Sequence, residues 1–130
     1  VALRLRITGA LPTLAEAQER LAEHLASVPA RQAARAAVLL EEVAVNALRH
    51  GAASGVDVLA EASGDGCRLV FEDDGVAFDP TAARPAPPAH DLAHAQSGGR
   101  GLLLLHRIAT ALTYERVAGR NRLEVTLAGP

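Results

Sequence analysis

From Pro12 to His50 the chain carries helix-forming sequence interrupted once, by Pro29. Proline lacks an N–H and its ring clashes with the preceding helical turn, so one helix must stop there and another begin. The first, introduced by Pro12 and Thr13 and running to about Val28, places Leu14, Ala17, Leu21 and Leu25 on one stripe. The second runs from about Ala30 to His50 and stops at Gly51, since glycine readily adopts the conformations that close helices. Its stripe is Ala33, Ala37, Leu40, Ala44, Ala47 and Leu48. Two helices in succession need an apolar surface to cover, and the rest of the chain supplies it as strands.

Leu3, Leu5 and Ile7 alternate with Arg4, Arg6 and Thr8, which reads as a half-buried opening strand. Val56 to Ala62 and Cys67 to Asp73 form a hairpin around GDG (64–66). Leu112 to Val117 and Arg122 to Leu127 close the chain as a second hairpin around AGRN (118–121). Between the hairpins, residues 75–98 contain four prolines and no sustained periodicity. A stretch of that kind inside a compact domain serves as a lid, a binding loop or a disordered segment. A helix resumes from Gly99 to Thr110 through the run LLLL (102–105). The order β-α-α-β-β-lid-α-β-β predicts an α+β fold, with helices on one face of a mostly antiparallel sheet. With 130 residues this is one domain, 1–130.

Composition narrows the function. The net charge is -2 with no basic block, and the aromatics are only Phe71, Phe78 and Tyr114. Direct nucleic-acid binding is therefore not expected. The single cysteine, Cys67, rules out an internal disulfide and fits a reducing compartment. No apolar run nears the roughly 20 residues of a membrane span, and VALRLRITGAL lacks the pattern of a secretion signal. The expectation is a soluble cytoplasmic protein.

Three short segments carry the chemistry: EEVAVNALRHG (41–51), DDGVAFDP (73–80) and GGRGL (98–102). On the second helix, Glu42, Asn46 and Arg49 share the face opposite the apolar stripe. Such a face is either solvated or turned to a ligand. Asn is a poor helix-interior residue, and Val38, Leu39 and Val45 flank the trio, which favours a partly covered face. An amide oxygen is a hard neutral ligand suited to Mg²⁺, and a carboxylate one turn away can deprotonate a hydroxyl. Glu41 points elsewhere, as a surface charge. In CRLVFED (67–73), Asp73 ends the inward row of Cys67, Leu69 and Phe71, and a buried carboxylate requires a partner. Asp74 faces the other way and is read as solvated. Gly99 and Gly101 open a helix whose first N–H groups can receive an anion. No zinc-site spacing and no GxxxxGK[ST] phosphate loop are present.

The order and spacing of these segments resemble the GHKL ATPases and kinases, which share the Bergerat fold. Within them the chain is most similar to the short anti-sigma-factor serine/threonine kinases, from about Leu11 to Leu127. The resemblance implies a two-layer α/β sandwich whose lid spans about 75–98, with ATP and Mg²⁺ bound. It matches Asn46 to the metal ligand, Glu42 to the general base, and Arg49 to a basic residue near the phosphates. His50 fits the family's frequent histidine, or equally a helix end favoured by the dipole. Asp73 would accept from the adenine amine, with Gly75 letting the backbone approach the base. Ala77 stands where the wider family has a second glycine, although FDP (78–80) is typical of the anti-sigma branch. Phe78 fits either the adenine pocket or the core. Gly99, Arg100, Gly101 and Leu102 correspond to the phosphate-binding helix start, with Arg100 directed to phosphate or to a protein partner.

The function so implied is a kinase that phosphorylates a STAS-type anti-anti-sigma protein, with a sigma factor as second partner and room for a homodimer. Two alternatives belong beside it. One is a non-catalytic, ATP-gated partner-switching module; the other is the catalytic domain of a histidine kinase. Glu42 speaks for catalysis, and the lack of a phospho-acceptor helix pair before Leu11 speaks against a histidine kinase.

Overall fold

The computed structural model describes residues 2–9, 11–81 and 97–129, excluding the side chains of 11, 12 and 97–102. The elements are β1 (Ala2–Ile7), α1 (Leu11–His24), α2 (Ala30–Val45), a π-helical turn (Asn46–His50), β2 (Val56–Ser63), β3 (Gly66–Asp73), α3 (Ser97–Ile108), β4 (Ala111–Val117) and β5 (Arg120–Leu127). The five strands form one sheet in the order β1-β2-β3-β5-β4, with every pairing antiparallel. The helices cover one face, as the order of elements predicts.

Strand alternation decides which face is covered. Leu5, Ile7, Val56, Val58, Ala60, Cys67, Leu69, Phe71, Leu123, Val125 and Leu127 point into the core with Ala17, Leu21 and Leu25 of α1. The open face carries paired charges. Arg68 grips Glu124 through Nε at 2.9 Å and Nη2 at 2.9 Å, and reaches Glu61 at 2.7 Å. Asp57 bridges Arg6 at 2.9 Å and Arg120 at 2.8 Å. Val70 lies buried on this side.

Several boundaries move from their expected places. The first helix ends at His24, and residues 25–28 tighten into turns closed by Val28 N–H to Leu25 O at 3.0 Å. On α2 the buried residues are Gln32, Ala36, Leu39, Leu40 and Ala44, so the deepest stripe is rotated from the expected one. Helix α2 packs against α1 and α3 as well as the sheet, which draws in Leu39 and leaves Ala33, Ala37, Ala47 and Leu48 half-buried. Gln32 joins this stripe because its Nε2 donates to the carbonyls of Ala128 at 3.2 Å and Gly129 at 2.6 Å. The third helix starts at Ser97 rather than Gly99. The last hairpin turns on two residues, Ala118 (φ 52°) and Gly119 (φ 75°), so Arg120 and Asn121 belong to β5 rather than to the turn. Positive φ at both positions suits the twist of a tight hairpin, but alanine is not a residue that announces it. The expected lid falls largely on 82–96, outside the described residues.

Candidate functional site

Helix α2 does not end as an α-helix. The Gly51 N–H bonds to the carbonyl of Asn46 at 3.0 Å, five residues back, widening the last turn. Glycine permits this, because a Cβ at Gly51 would meet the Ala47 carbonyl oxygen at 2.9 Å. Single π-turns within helices occur frequently at functional sites. In a wider turn each residue advances by less than the ~100° of an α-helix. His50 is thereby brought into line with Asn46, and Arg49 falls off the shared face. Both residues are exposed, but only His50 lines the cleft beside the turn.

That cleft has a volume of about 220 Å³ and lies between the end of α2 and the inner face of the sheet. Its floor is apolar, made by Phe71 of β3, Leu123 of β5 and Leu105 of α3, all buried. Glu42 and Asn46 line one wall, one helical turn apart. Asp73, Val76, Ala77 and Phe78 line the other. Phe78 is 56% exposed, which places it on the rim rather than in the core. Of the residues singled out in the sequence, six therefore meet at this cleft: Glu42, Asn46, His50, Asp73, Ala77 and Phe78. Gly99, Arg100, Gly101 and Leu102 lie in the first half of α3, and their side chains are outside the described residues.

The oxygen Oδ1 of Asn46 is buried and, among the described residues, has no hydrogen-bond partner. Leaving such a group unsatisfied costs about 1–3 kcal/mol. An unpartnered hard, neutral oxygen on a residue that lines the cleft fits Mg²⁺, which takes few protein ligands and keeps water and phosphate oxygens. Among the described residues no group of three or more His, Cys, Asp or Glu is placed to hold a metal ion.

Asp73 is 8% exposed. Its Oδ1 accepts from the Gly75 N–H at 2.8 Å and from Asn121 Nδ2 at 3.0 Å. Among the described residues, Oδ2 accepts no hydrogen bond. The carboxylate is thus half satisfied by protein, with acceptor capacity left over at the cleft. The segment after it is pinned to the end of the π-helical turn, with Val76 N–H donating to Gly51 O at 2.8 Å. Gly75 is required here because a Cβ would stand 2.5 Å from that same Gly51 oxygen. Asp74 is exposed, yet it accepts from the Ser54 hydroxyl at 2.6 Å and the Ser54 N–H at 2.8 Å. Those bonds hold its pKa below the usual carboxylate range.

Sequence reasoning missed Asn121, Tyr114 and Arg116. Asn121 is 7% exposed and sits opposite Asp73 in the β3–β5 ladder. Its signal was available: residues 121, 123, 125 and 127 alternate inward, and a polar residue in such a row requires a reason. His106 of α3 is exposed, but its Nε2 bonds the Pro80 carbonyl at 2.8 Å, tying α3 to the segment that leaves the cleft.

The sequence model of the histidine kinase-like ATPase domain matches residues 7–127. The chain belongs to that family. Membership implies the use of ATP, and the five-stranded antiparallel sheet with helices on one side agrees with the family's fold. A 58-residue segment of this histidine kinase-like ATPase domain is 45% identical to the serine/threonine-protein kinase BtrW of Bordetella bronchiseptica. The match covers 45% of this chain and 41% of that kinase.

Proposed function

We propose that this domain is a protein serine/threonine kinase that transfers the γ-phosphoryl group of ATP to a hydroxyl on a small regulatory protein. The observation that carries the reading is the bare Asn46 Oδ1 one turn beyond Glu42, on the same cleft wall. Asn46 would hold Mg²⁺, which when bound neutralises phosphate charge. Glu42 takes the proton of the attacking hydroxyl, a task a passive nucleotide-binding module does not need. Asp73 accepts the exocyclic amine of adenine at Oδ2, while Phe71, Leu123 and Leu105 offer the base an apolar bed. The first turn of α3, with Gly99 and Gly101, offers backbone N–H groups to the phosphates.

The partner reading follows from the family resemblance and from the kinase name of the matched relative. The substrate is a STAS-type anti-anti-sigma protein, and the domain acts as an anti-sigma factor whose hold on a sigma factor is released by the unphosphorylated partner. A direct test incubates the domain with Mg²⁺, γ-labelled ATP and the STAS protein encoded nearest to it. Label on a serine or threonine of the partner is expected. Glu42→Gln should retain ATP affinity and lose roughly 10²–10⁴-fold in rate. ATP binding with no transfer to any such partner would make the domain a non-catalytic partner-switching module.

A further inference from the structure

Three groups around Asp73 have no role in the reading above. Asn121 Oδ1 receives the Tyr114 hydroxyl at 2.5 Å, Arg116 Nη1 at 3.0 Å and the Phe78 N–H at 3.4 Å. Donors converging on one atom fix which end of a carboxamide lies there: it must be the acceptor. The other end, Nδ2, is thereby aimed at Asp73 Oδ1 at 3.0 Å and at the Val76 carbonyl at 2.8 Å. Arg116 Nη1 also donates to the Gly75 carbonyl at 2.8 Å, so one guanidinium holds both the amide and the loop beside it.

The effect on Asp73 is directional. Two N–H groups, from Gly75 and Asn121, occupy Oδ1, and the carboxylate plane is set by them. The remaining oxygen then meets the cleft as a fixed acceptor. A fixed acceptor rewards a purine carrying an N–H donor at position 6 and penalises one carrying hydrogen or a carbonyl there.

We propose that Asn121, oriented by Tyr114 and Arg116, is the positioning residue that gives the cleft its selectivity for a 6-aminopurine. This rests on the reading of Asp73 as the group that meets the base. Asn121, which also lines the cleft, acts through Asp73 and the loop at 75–78. Tyr114, which also lines the cleft, acts through Asn121, and Arg116 acts through Asn121 and Gly75.

The test is calorimetric titration of the whole domain, in Mg²⁺, with ATP and with the triphosphate of the purine ribonucleoside that carries hydrogen at position 6. The parent should prefer ATP by about 10- to 100-fold, the worth of one hydrogen bond to a buried charge. Asn121→Ala should bring that preference down to a few-fold or less, since the carboxylate is then free to turn. Tyr114→Phe keeps the ring and removes one donor, and should lower the preference part-way. It also provides the reading if Asn121→Ala fails to fold. Variants that weaken both nucleotides equally, leaving the ratio at its parental value, would make the network merely structural and overturn the inference. A parent that does not distinguish the two nucleotides would overturn the role of Asp73 itself, and the positioning role with it.

Discussion

At the scale of single residues, the cleft is defined by two oxygens whose acceptor capacity the described residues leave unused. One is Asn46 Oδ1, buried and unpartnered; the other is Asp73 Oδ2, beside a partner oxygen already bonded twice. Asn46→Ala removes the first. Residues that merely support metal ligands are worth about 10–100-fold in metal affinity, so ATP binding in Mg²⁺ should fall by at least that much and lose its dependence on the metal. Titrations with Mg²⁺ and with EDTA measure both effects, and unchanged metal dependence would take Asn46 out of the site. Asp73→Asn keeps the size of the side chain and removes the charge behind the second oxygen. A hydrogen bond to a charged group is worth about 1.5–3 kcal/mol, so ATP affinity should drop roughly 10- to 100-fold while binding of GTP stays weak or improves slightly. Equal ATP affinity in variant and parent would end the base-reading role.

At the scale of elements, the site depends on the end of α2 meeting the start of the loop after β3. Gly75 is the point of closest approach. In Gly75→Ala the new Cβ would lie 2.5 Å from the Gly51 oxygen and 3.0 Å from Asp73 Oδ1. Relieving it must lengthen the Val76–Gly51 hydrogen bond, at a cost of about 1–3 kcal/mol by analogy with overpacked cores. Urea denaturation should show that loss, and ATP affinity should fall with it; a variant as stable as the parent would mean that the junction yields freely. The sequence announced most of these elements. Pro29 and Gly51 bounded the second helix, alternation identified the strands and their inward faces, and Asp73 followed from its place at the end of an apolar row. The π-helical turn was not legible, because a glycine after a helix reads equally as an ordinary α-helical stop. The tight Ala118–Gly119 turn was not legible either, since alanine at positive φ gives no signal; mistaking it for a four-residue turn hid Asn121. Gln32 escaped notice because its hydrogen bonds are to Ala128 and Gly129, 96 and 97 positions away.

At the scale of the whole molecule, one face of the sheet holds the helices and the cleft, and the other is a field of ion pairs. Ser54 holds Asp74, and Arg68 holds Glu124, below the ordinary carboxylate range. Both carboxylates therefore bind protons less readily folded than unfolded. Their stabilisation is complete above the unfolded value of about 4 and is lost as the pH falls through the lower folded values. Urea midpoints measured downward from neutral pH should drop only below about pH 4, and Glu124→Gln should make that drop shallower. An acid limb identical in variant and parent would show that the Arg68 pair contributes nothing. No helix of the described residues is long and apolar enough to cross a membrane.

The strand order has a further consequence, for the history of the chain rather than its equilibrium. Asp73 and Asn121 are 48 positions apart, and β5 leaves the ribosome well after β3 yet sits directly beside it. Contacts that close so long a span form late, because their entropy must be spent before they return anything. A nascent chain would expose Glu42, Asn46 and Asp73 well before it owned a finished floor, and would gain its hold on a nucleotide only when the β4–β5 hairpin zipped into place. Once there, a bound nucleotide would work as a bolt on that hairpin, slowing its departure and lengthening the life of the folded domain.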